Sequence, residues 1–512
     1  MSRHNREIAK NASVVGGATL VTRILGFLRD MAVAYVLGAG LSADAFYVAF
    51  RLPNLLRRLF AEGSMTMAFV PIFTTIRKEQ GDNEAFAMSR SALVWLILIL
   101  LAITGLAILF AKPLTLLIAP GFAEEAGAVE QTATLVRIVF PYIILISGVA
   151  LCMGILNSMG HFMAPALSPA ILNLAIIVGA LVGALFHIDI PTALAWSVLV
   201  GGLGQWLMQQ PYLARYGFQW RGPWSLKNKG VAQMARLMTP TIFSAAIYQL
   251  NIVFGTLLAS YLQTGSITYL YYADRLVQFP LGVFGAAVGT VALPNLSRLA
   301  ADNDLKGFAH TLNFSLRFTL FICLPAAAGL IGLCHPVVEV LFGRGAFGAA
   351  DVTATAQALV AYGVGLPAFA CVRSLYSAYF ALTDTKTPVL IGAICLVVNI
   401  GFGLLLMGPL EHTGLALATS IASWVNVILL VVLLKPKLGP WLAIGRSVAI
   451  STLLSLAIGV ATAMLVTYAP LRIGLIPFWA ALYMLGAKFF RMEEANYFIE
   501  FVTKKIKRRK TR

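Results

Sequence analysis

Residues 91–111 read SALVWLILILLAITGLAILFA, an uninterrupted apolar stretch without a charged side chain. A helix of about 20 such residues is long enough to cross the hydrocarbon core of a bilayer. The stretch is typical of the chain, because hydrophobic residues make up 59% of the 512 and charged residues only 12%. A soluble domain carries roughly twice that charged fraction. The sequence therefore predicts an all-α polytopic membrane protein.

About fourteen apolar segments of spanning length follow one another with short gaps. We expect spans at 11–38, 44–76, 91–111, 133–157, 165–187, 191–214, 237–262, 267–297, 312–341, 352–382, 388–409, 412–434, 446–468 and 471–490. Residues 335–345 are also compatible with a short interfacial helix. The first span carries Arg23 and Arg29 and lacks a small-residue cleavage site, so we expect it to be retained rather than removed as a signal peptide.

The net charge of +17 is distributed over the ends of the apolar segments, so no nucleic-acid partner is expected. With a cytoplasmic N-terminus, most of the 38 Lys and Arg residues fall on the cytoplasmic side. They lie in the N-terminal arm, at 77–90, 215–236, 298–306, 383–387 and 435–446, and in the C-terminal tail. The opposite loops hold only Lys112, Arg344 and Arg472. This bias follows the positive-inside rule and places both termini in the cytoplasm. Membrane lipids are expected partners, above all for the tail from Lys504 to Arg512.

Four matches at a nearly constant separation indicate a diverged internal duplication. Tyr47-Val-Ala-Phe-Arg51-Leu resembles Tyr271-Tyr-Ala-Asp-Arg275-Leu, Phe69-Val-Pro71 resembles Ala292-Leu-Pro294, Pro165 matches Pro388, and Thr192-Ala-Leu-Ala resembles Thr413-Gly-Leu-Ala. The copies lie six spans apart and therefore run in the same direction, which predicts two six-helix lobes in a parallel, pseudo-two-fold repeat with the transport site at their interface. The predicted organisation is an N-terminal lobe at 1–215, a basic cytoplasmic linker at 216–236, a C-terminal lobe at 237–434, two extra spans at 435–490 and a basic cytoplasmic tail at 491–512.

Charged side chains within the spans are concentrated in the first, second and eighth. They are the cations Arg23, Arg29, Arg51, Arg57, Arg58 and Arg275 and the anions Asp30, Asp44, Glu62 and Asp274. An arginine at the bilayer centre costs about 2.5–3.5 kcal/mol on insertion scales, so these side chains must face water or a counter-charge. One alternative is that the anions pair with the arginines and only hold helices together. The surplus of cations favours an anionic ligand instead, since guanidinium suits phosphate through bidentate hydrogen bonds.

Helix geometry adds two expectations about these arginines. Asp44, Arg51 and Arg58 are spaced by seven, which places them within about 40° on one helical face unless Pro53 shifts that phase. Arg51 and Arg275 occupy equivalent positions of the repeat, so they are expected to approach the ligand from opposite sides. Arginines near span ends, for which snorkelling to the interface is the better expectation, are Arg137, Arg317 and Arg373.

Three motifs connect the chain with a known family. Thr22-Arg-Ile-Leu-Gly-Phe-Leu-Arg-Asp30, Ala43-Asp-Ala-Phe with Leu52-Pro-Asn-Leu-Leu-Arg-Arg-Leu-Phe-Ala-Glu-Gly63, and Tyr271-Tyr-Ala-Asp-Arg-Leu276 resemble the MurJ/MviN lipid II flippases, and the likeness covers essentially the whole chain. It implies the fold of the multidrug/oligosaccharidyl-lipid/polysaccharide exporter superfamily, MATE-like and V-shaped, with alternating access. It implies a place in the bacterial inner membrane and a role in peptidoglycan synthesis. The implied substrate is lipid II, an undecaprenyl-diphosphate-linked disaccharide pentapeptide, with the cell-wall synthesis machinery as a candidate partner.

The resemblance also implies roles for particular residues. By motif, Arg23, Arg29, Arg57 and Arg275 are substrate-binding, and Asp44 lies in the outer part of the second span. The resemblance favours Arg57 where the helical wheel favours Arg58. The last two spans are implied to form a groove for the polyprenyl tail.

Energy coupling is a separate question. Some members of the family bind sodium through an acid in span seven, and this chain has none there. Asn251, Asn399 and Thr419 are the polar groups available for a weak sodium site. The sequence therefore favours coupling to the membrane potential over sodium, and it predicts no other cofactor.

Other functions are weighed against this one. A flippase for another polyprenyl-diphosphate-linked oligosaccharide is distinguished only by the motifs. A MATE-type drug or cation antiporter would need carboxylates rather than an arginine surplus. An enzyme acting on polyprenyl phosphates would need clustered acids for Mg²⁺ or a His/acid base, whereas the six His are scattered singly and the five Cys form no CxxC pair. We therefore expect a transporter and not an enzyme.

Overall fold

The computed structural model describes residues 3–60, 64–465, 474 and 476–500. Within these ranges it does not describe the side chains at 3–14, 59–60, 64–67, 240–248, 283–292, 463 and 465. The described residues are predominantly helical and contain no β-strand. The prediction of an all-α protein is therefore confirmed.

The helices are numbered here in chain order. They are α1 Arg3–Leu37, α2 Leu41–Phe60, α3 Ser64–Gln80, α4 Asp82–Leu109, α5 Ala111–Ile118, α6 Ala128–Val139, α7 Tyr142–Ser158, α8 Met163–Leu185, α9 Ile190–Arg215, α10 Lys229–Ala259, α11 Ser266–Ala301, α12 Leu305–Gly332, α13 Cys334–Phe342, α14 Ala349–Ala381, α15 Lys386–Leu438, α16 Gly445–Leu465 and α17 Ile476–Phe489. A 3₁₀ helix covers Pro120–Glu124, and a further helical stretch covers 493–500.

Each predicted span overlaps one or more of these helices. Eight described helices are long and apolar enough to cross a membrane, so the count of fourteen stays a prediction. α15 covers two predicted spans and is kinked at Glu411, whose φ of 48° is left-handed. The stretch 335–345, for which a short interfacial helix was an alternative, lies largely on the separate helix α13.

The chain divides into two compact units. The first consists of Met1–Thr268 with Arg344–Phe347, and the second of Tyr269–Gly343 and Gly348–Arg512. The sequence placed the boundary in the linker at 216–236, so the two divisions differ mainly by α10, and also by the residues from its end to Thr268 and by Arg344–Phe347. The packing of this helix explains the difference, because Val231, Met234 and Met238 join the core of the first unit. The duplication and the lobes derived from it stay a prediction.

The first unit is built around aromatic and aliphatic side chains of α3, α4 and α7. Phe69, Phe73 and Phe86 contact one another there, and Leu151 and Ile155 are fully buried with them. Beside this core, α8 and α9 approach closely at small residues. A Cβ on Gly179 would lie 2.5 Å from the Cβ of Ser197 on α9. Small residues give membrane helices this close packing.

The second unit has its core between α12, α14 and α15. Leu312, Leu375, Tyr379 and Leu430 are buried in it, and the Tyr379 hydroxyl donates to the Leu430 carbonyl at 2.8 Å. Asp384, in the loop before α15, accepts hydrogen bonds from Lys437 and Thr387 of that helix. Burial raises the pKa of Asp384, but these hydrogen bonds outweigh it and lower the pKa to about 2.

The last two predicted spans pack on the second unit through α12. A Cβ on Gly332 of α12 would lie 2.9 Å from the carbonyl oxygen of Gly459 on α16, so these helices are in close contact. The Tyr483 hydroxyl of α17 donates to the Phe321 carbonyl of α12 at 2.8 Å. α12 is therefore the helix that holds both additional spans.

Two of the arginines near span ends, Arg317 and Arg373, have hydrogen-bonding partners within the protein. Arg317 forms ion pairs with Glu493 and Glu494 at 3.0 and 3.1 Å. The C-terminal stretch thus supplies carboxylates beside α12, and the snorkelling of Arg317 stays a prediction. Arg373 is half-buried and donates to the Leu281 carbonyl at 3.5 Å.

Gly121 and Gly105 provide a matched pair of substitutions within the first unit. A Cβ on Gly121 would lie 2.0 Å from the backbone oxygen of Ser260, whereas one on Gly105 meets nothing within 4 Å. We expect Gly121→Ala to lower the melting temperature of the purified protein, since overpacking costs about 1–3 kcal/mol. Gly105→Ala should leave it unchanged or raise it, because alanine is favoured by roughly 0.5–1 kcal/mol within a helix. Equal melting temperatures for the two variants would contradict the close approach at Gly121.

Candidate functional site

Arg29 and Asp30 form a buried ion pair in α1. They are 7% and 2% exposed, and Nη2 of Arg29 lies 2.6 Å from Oδ1 of Asp30. Nη1 of Arg29 also donates to Oδ1 of Asn173 on α8 at 3.2 Å, and the amide of Asn173 donates to the Thr22 carbonyl at 3.2 Å. Gly26 permits this approach, because a Cβ there would lie 3.3 Å from the amide nitrogen of Asn173. The network therefore joins α1 to α8 through one arginine.

Asp44 is buried at the start of α2 and is 2% exposed. Its carboxylate accepts hydrogen bonds from Gly265 N at 2.7 Å, Thr268 N at 2.8 Å and Thr268 Oγ1 at 2.6 Å. Gly265 and Thr268 lie at the beginning of α11, where the first backbone N–H groups have no partner within the helix. Asp44 thus caps a helix from another part of the chain. The sequence analysis proposed Asp44 as a counter-charge for an arginine. In this conformation its carboxylate accepts hydrogen bonds from the N-terminal end of α11.

Arg51 follows Asp44 on α2 at a spacing of seven residues. Its guanidinium donates to the hydroxyl of Thr256 on α10, while Asp44 binds the segment that follows α10. Both residues thus contact α10 or the segment after it, and the predicted common face of Asp44, Arg51 and Arg58 stays a prediction. Pro53 lies inside α2, and the helix continues through it.

The end of α2 carries the two adjacent arginines between which the sequence left a choice. Nε of Arg57 donates to Oδ1 of Asn54 at 2.9 Å. Arg57 and Arg58 are both half-buried, so burial favours neither of them. Glu62 lies outside the described residues. Arg23, on α1, is exposed.

The second unit contributes Asp274 and Arg275 on α11. Asp274 accepts a hydrogen bond from Gln278, one turn further along the helix. The guanidinium carbon of Arg275 lies 5.6 Å from the ring centre of Tyr271, a distance suited to a cation–π interaction. The neighbouring Tyr272 is fully buried and packs on Phe342. These contacts orient α11 so that Arg275 lies next to an aromatic ring.

The polar groups considered for sodium are distributed over both units. Within the second, Thr419 donates to Oδ1 of Asn399 at 3.4 Å, and Asn399 is 9% exposed. Asn251 is half-buried on α10 in the first unit. In the part of the chain that the structure describes, no three His, Cys, Asp or Glu side chains are grouped so that they could hold a metal ion.

Sequence reasoning missed the uncharged partners of the charged residues. Asn173 and Thr268 are the clearest cases, since each completes a network around a buried charge. A signal existed for Asn173, because an amide within the otherwise apolar span at 165–187 needs a hydrogen-bonding partner. Thr268 gave no such signal, because threonine is common at the beginning of helices.

The fold and the buried charges within its helices define a membrane transporter. An inward-facing multidrug-resistance transporter of the MATE family, in the MOP superfamily, superposes with a TM-score of 0.69 over 83% of this chain and 98% of its own, at 14% identity, which shows a common fold. A solved lipid II flippase MurJ in an inward closed conformation superposes with a TM-score of 0.80 over 93% of this chain and 98% of its own, at 28% identity.

Sequence relatives identify the family within this class. The family model described as lipid II flippase MurJ matches residues 33–490. A probable lipid II flippase MurJ of Vibrio cholerae serotype O1 is 39% identical over 83% of this chain and 82% of its own length. The lipid II flippase MurJ of Burkholderia cenocepacia is 36% identical over 83% of each chain. The chain belongs to the MurJ lipid II flippase family. Arg23, Arg29 and Asp30 precede the residues that the family model matches.

Asp44→Asn tests the cap on α11. The substitution keeps the side chain's size but replaces an acceptor oxygen by an amide that donates, so one N–H group at residues 265–268 loses its partner. An unmade buried hydrogen bond costs about 1–3 kcal/mol, so amide hydrogen exchange at 263–268 should become on the order of tenfold faster.

Glu125→Gln is the matched control for this variant. Glu125 accepts a single hydrogen bond from the Thr264 hydroxyl at the surface, at 2.7 Å. Exchange at 263–268 should therefore change little. If the two variants accelerated exchange equally, Asp44 would not be the residue that holds this segment.

Proposed function

We propose that this chain moves lipid II from the inner to the outer leaflet of the bacterial inner membrane. One observation carries the proposal: relatives named as lipid II flippases are 34–39% identical over 80% or more of the chain. Lipid II combines a diphosphate, a large polar head group and a polyprenyl tail. A protein that moves it needs cations to bind the diphosphate, a hydrated path for the head group and access to lipid for the polyprenyl tail.

Arginines supply the cations in this proposal. Guanidinium binds phosphate oxygens through two parallel hydrogen bonds, and it stays charged even in surroundings of low polarity. We assign the diphosphate to Arg23, Arg29, Arg57 and Arg275, with Arg51 and Arg58 as further candidates. Arg29 is the most informative of them, because it is held by Asp30 and Asn173. A diphosphate would compete with Asp30 for this guanidinium.

Transport by alternating access requires that the free energy of substrate binding differ little between the inward-open and outward-open states. A ligand shifts a conformational equilibrium only by its differential affinity for the states. We propose that Asp44 is a gating residue on the outer side, because its hydrogen bonds to Gly265 and Thr268 join α2 to the start of α11. Breaking them would free this end of α11.

The tail of the substrate stays in lipid in this scheme. α16 and α17 are the helices proposed to guide it. They expose a series of large apolar side chains, namely Leu453, Leu456, Val460, Phe478, Leu482 and Leu485. Such surfaces are compatible with a polyprenyl chain moving along the outside of the protein.

We propose the membrane potential as the driving force. Moving one elementary charge across 100 mV is worth about 2.3 kcal/mol, and the substrate diphosphate is anionic. Asn251, Asn399 and Thr419 would be the ligands of a sodium ion if sodium contributed. Both termini are proposed to be cytoplasmic, and the cell-wall synthesis machinery is the proposed partner.

A flippase for another polyprenyl-diphosphate-linked oligosaccharide is the second candidate, since it would need the same arginines. A drug or cation antiporter is less compatible with a cluster of cations in the spans, although MATE transporters have the same fold.

Complementation of a bacterium depleted of its own lipid II flippase tests the proposal. Wild type should restore growth and lipid II in the outer leaflet. Arg275→Ala should fail, and Arg275→Lys should rescue partly or not at all, because lysine cannot form the bidentate contact. Arg137→Ala is the matched control, since Arg137 lies near a span end where snorkelling is expected, and it should rescue fully.

Each outcome has a separate meaning. An expressed wild-type chain that restores neither growth nor lipid II would favour a flippase for another lipid. Full rescue by Arg275→Ala would leave lipid II transport intact and remove Arg275 from the diphosphate site. Failure of both Arg275→Ala and Arg137→Ala would indicate a general loss of folding, which expression level and melting temperature would reveal.

A further inference from the structure

Residues 217–228, here called the α9–α10 connector, have no part in the transport proposal. They join the end of α9 at Arg215 to the start of α10 at Lys229. Their sequence GFQWRGPWSLKN combines two tryptophans with basic residues, and no acidic residue occurs anywhere from 190 to 273. Two tryptophans and an excess of basic over acidic residues are not expected in a loop that is simply solvated.

A buried arginine of α4 holds the connector in one conformation. Arg90 is 7% exposed, and its guanidinium donates to the Pro223 carbonyl at 2.9 Å and to the Gln219 carbonyl at 3.0 Å. A Cβ on Gly222 would lie 2.8 Å from the guanidinium carbon of Arg90. The connector is therefore folded around this side chain, and a larger residue at 222 would displace the guanidinium from its two carbonyl partners.

Two more contacts with α4 continue this attachment along the helix. The backbone N–H of Ser225 donates to the Ser91 hydroxyl at 2.9 Å, and the indole of Trp95 donates to the Leu226 carbonyl at 3.0 Å. Ser91 and Trp95 are one turn apart, about 6 Å along the axis. Both belong to the uncharged apolar stretch 91–111, so the connector lies where a membrane-spanning segment begins.

The connector exposes apolar and basic side chains on the same segment. Trp224 and Leu226 are 54% and 49% exposed. Arg221, Lys227 and Lys229 are exposed around them. Tryptophan is enriched at the membrane–water interface, where its ring is apolar and its N–H can reach water or head groups. Basic side chains at the same depth attract anionic lipids.

We propose that the α9–α10 connector is a binding site for anionic phospholipid head groups. Trp224 and Leu226 insert beside the first apolar turn of α4, and Arg221, Lys227 and Lys229 bind phosphate groups of the same leaflet. Charge complementarity and the position at the ends of α4 and α9 select this ligand. A soluble protein partner would leave the alignment of Trp224 and Leu226 with the apolar stretch without a function. The site is independent of lipid II transport.

Lipid-dependent stability tests the basic part of the site. Delipidated full-length protein in detergent is titrated with phosphatidylglycerol or with phosphatidylcholine, both free of polyprenyl lipids, and the melting temperature is followed. Phosphatidylglycerol should stabilise wild type at a lower concentration than phosphatidylcholine. In the triple variant Arg221→Gln/Lys227→Gln/Lys229→Gln, the concentration of phosphatidylglycerol needed for half the effect should rise about fivefold or more.

A charge-matched triple variant separates a site from general attraction. Lys306→Gln/Lys386→Gln/Lys435→Gln removes three exposed cations near helix ends elsewhere on the predicted cytoplasmic side and should shift that concentration less than about twofold. Equal shifts in the two triple variants, or no preference for phosphatidylglycerol in wild type, would overturn the proposal. Equal shifts would indicate non-specific electrostatics.

Fluorescence quenching tests the apolar part. Wild type, Trp224→Phe and Trp441→Phe are placed in phosphatidylglycerol vesicles with bromine atoms on acyl carbons near the head group. Trp441 is 5% exposed and serves as the buried control. Trp224→Phe should remove part of the bromine-dependent quenching, and Trp441→Phe should not. Unchanged quenching in Trp224→Phe would show that the connector faces water, as a site for a soluble partner would.

Discussion

The constraint on which this structure depends is that lipid offers no solvent for a charge or an open hydrogen bond. Arg29 shows how the chain meets it, with an ion pair to Asp30 and a hydrogen bond to Asn173 across two helices. A buried ion pair contributes little net stability compared with well-packed apolar residues. The pair is therefore poorly explained as a structural element alone. In the proposed function, the same arginine binds the substrate diphosphate.

The same constraint shapes the helix ends. The first turn of α11 would leave N–H groups open, and Asp44 accepts two of them together with the Thr268 hydroxyl. Away from the spans, Asn228 and Asp304 cap α10 and α12 in the ordinary local way. Asp44 differs because it comes from a distant part of the chain. Its partners are two backbone N–H groups and one hydroxyl, so Asp44 serves as a helix cap here.

Much of the fold followed from apolar run length, because a bilayer allows little besides helices of about 20 residues. The overlap of each predicted span with a helix reflects this. The break at Glu411 lies between the predicted spans 388–409 and 412–434, so the sequence also located this change of direction. The packing of α10 with the first unit was not predicted. An internal repeat predicts which helices correspond to each other, but it does not predict which core a helix joins. Met234 and Met238 of α10 pack in the core of the first unit.

For the site, sequence identified the charges and missed what holds them. Spacing by seven predicted that Asp44 and Arg51 share one side of α2, and their contacts with α10 and the segment after it are compatible with this. Their partners Thr268 and Thr256 are ordinary residues for helices, so only coordinates could single them out. A sequence analysis based on charged residues does not identify neutral hydrogen-bonding partners, although these partners decide whether a charge can remain buried.

Asp30 and Asp44 also differ in what they can do during transport. Asp30 is the neighbour of Arg29 on the same helix, so a rigid movement of α1 carries both and leaves their 2.6 Å contact unchanged. Such a pair can compete with a ligand equally in every state, and equal competition shifts no equilibrium. The contacts of Asp44 join α2 to the segment before and within α11, and they can be made in one state and broken in another. In the proposed transport cycle only interactions that differ between states can drive a change, so Asp44 suits the proposed gating role and Asp30 suits the role of setting how tightly Arg29 holds its ligand.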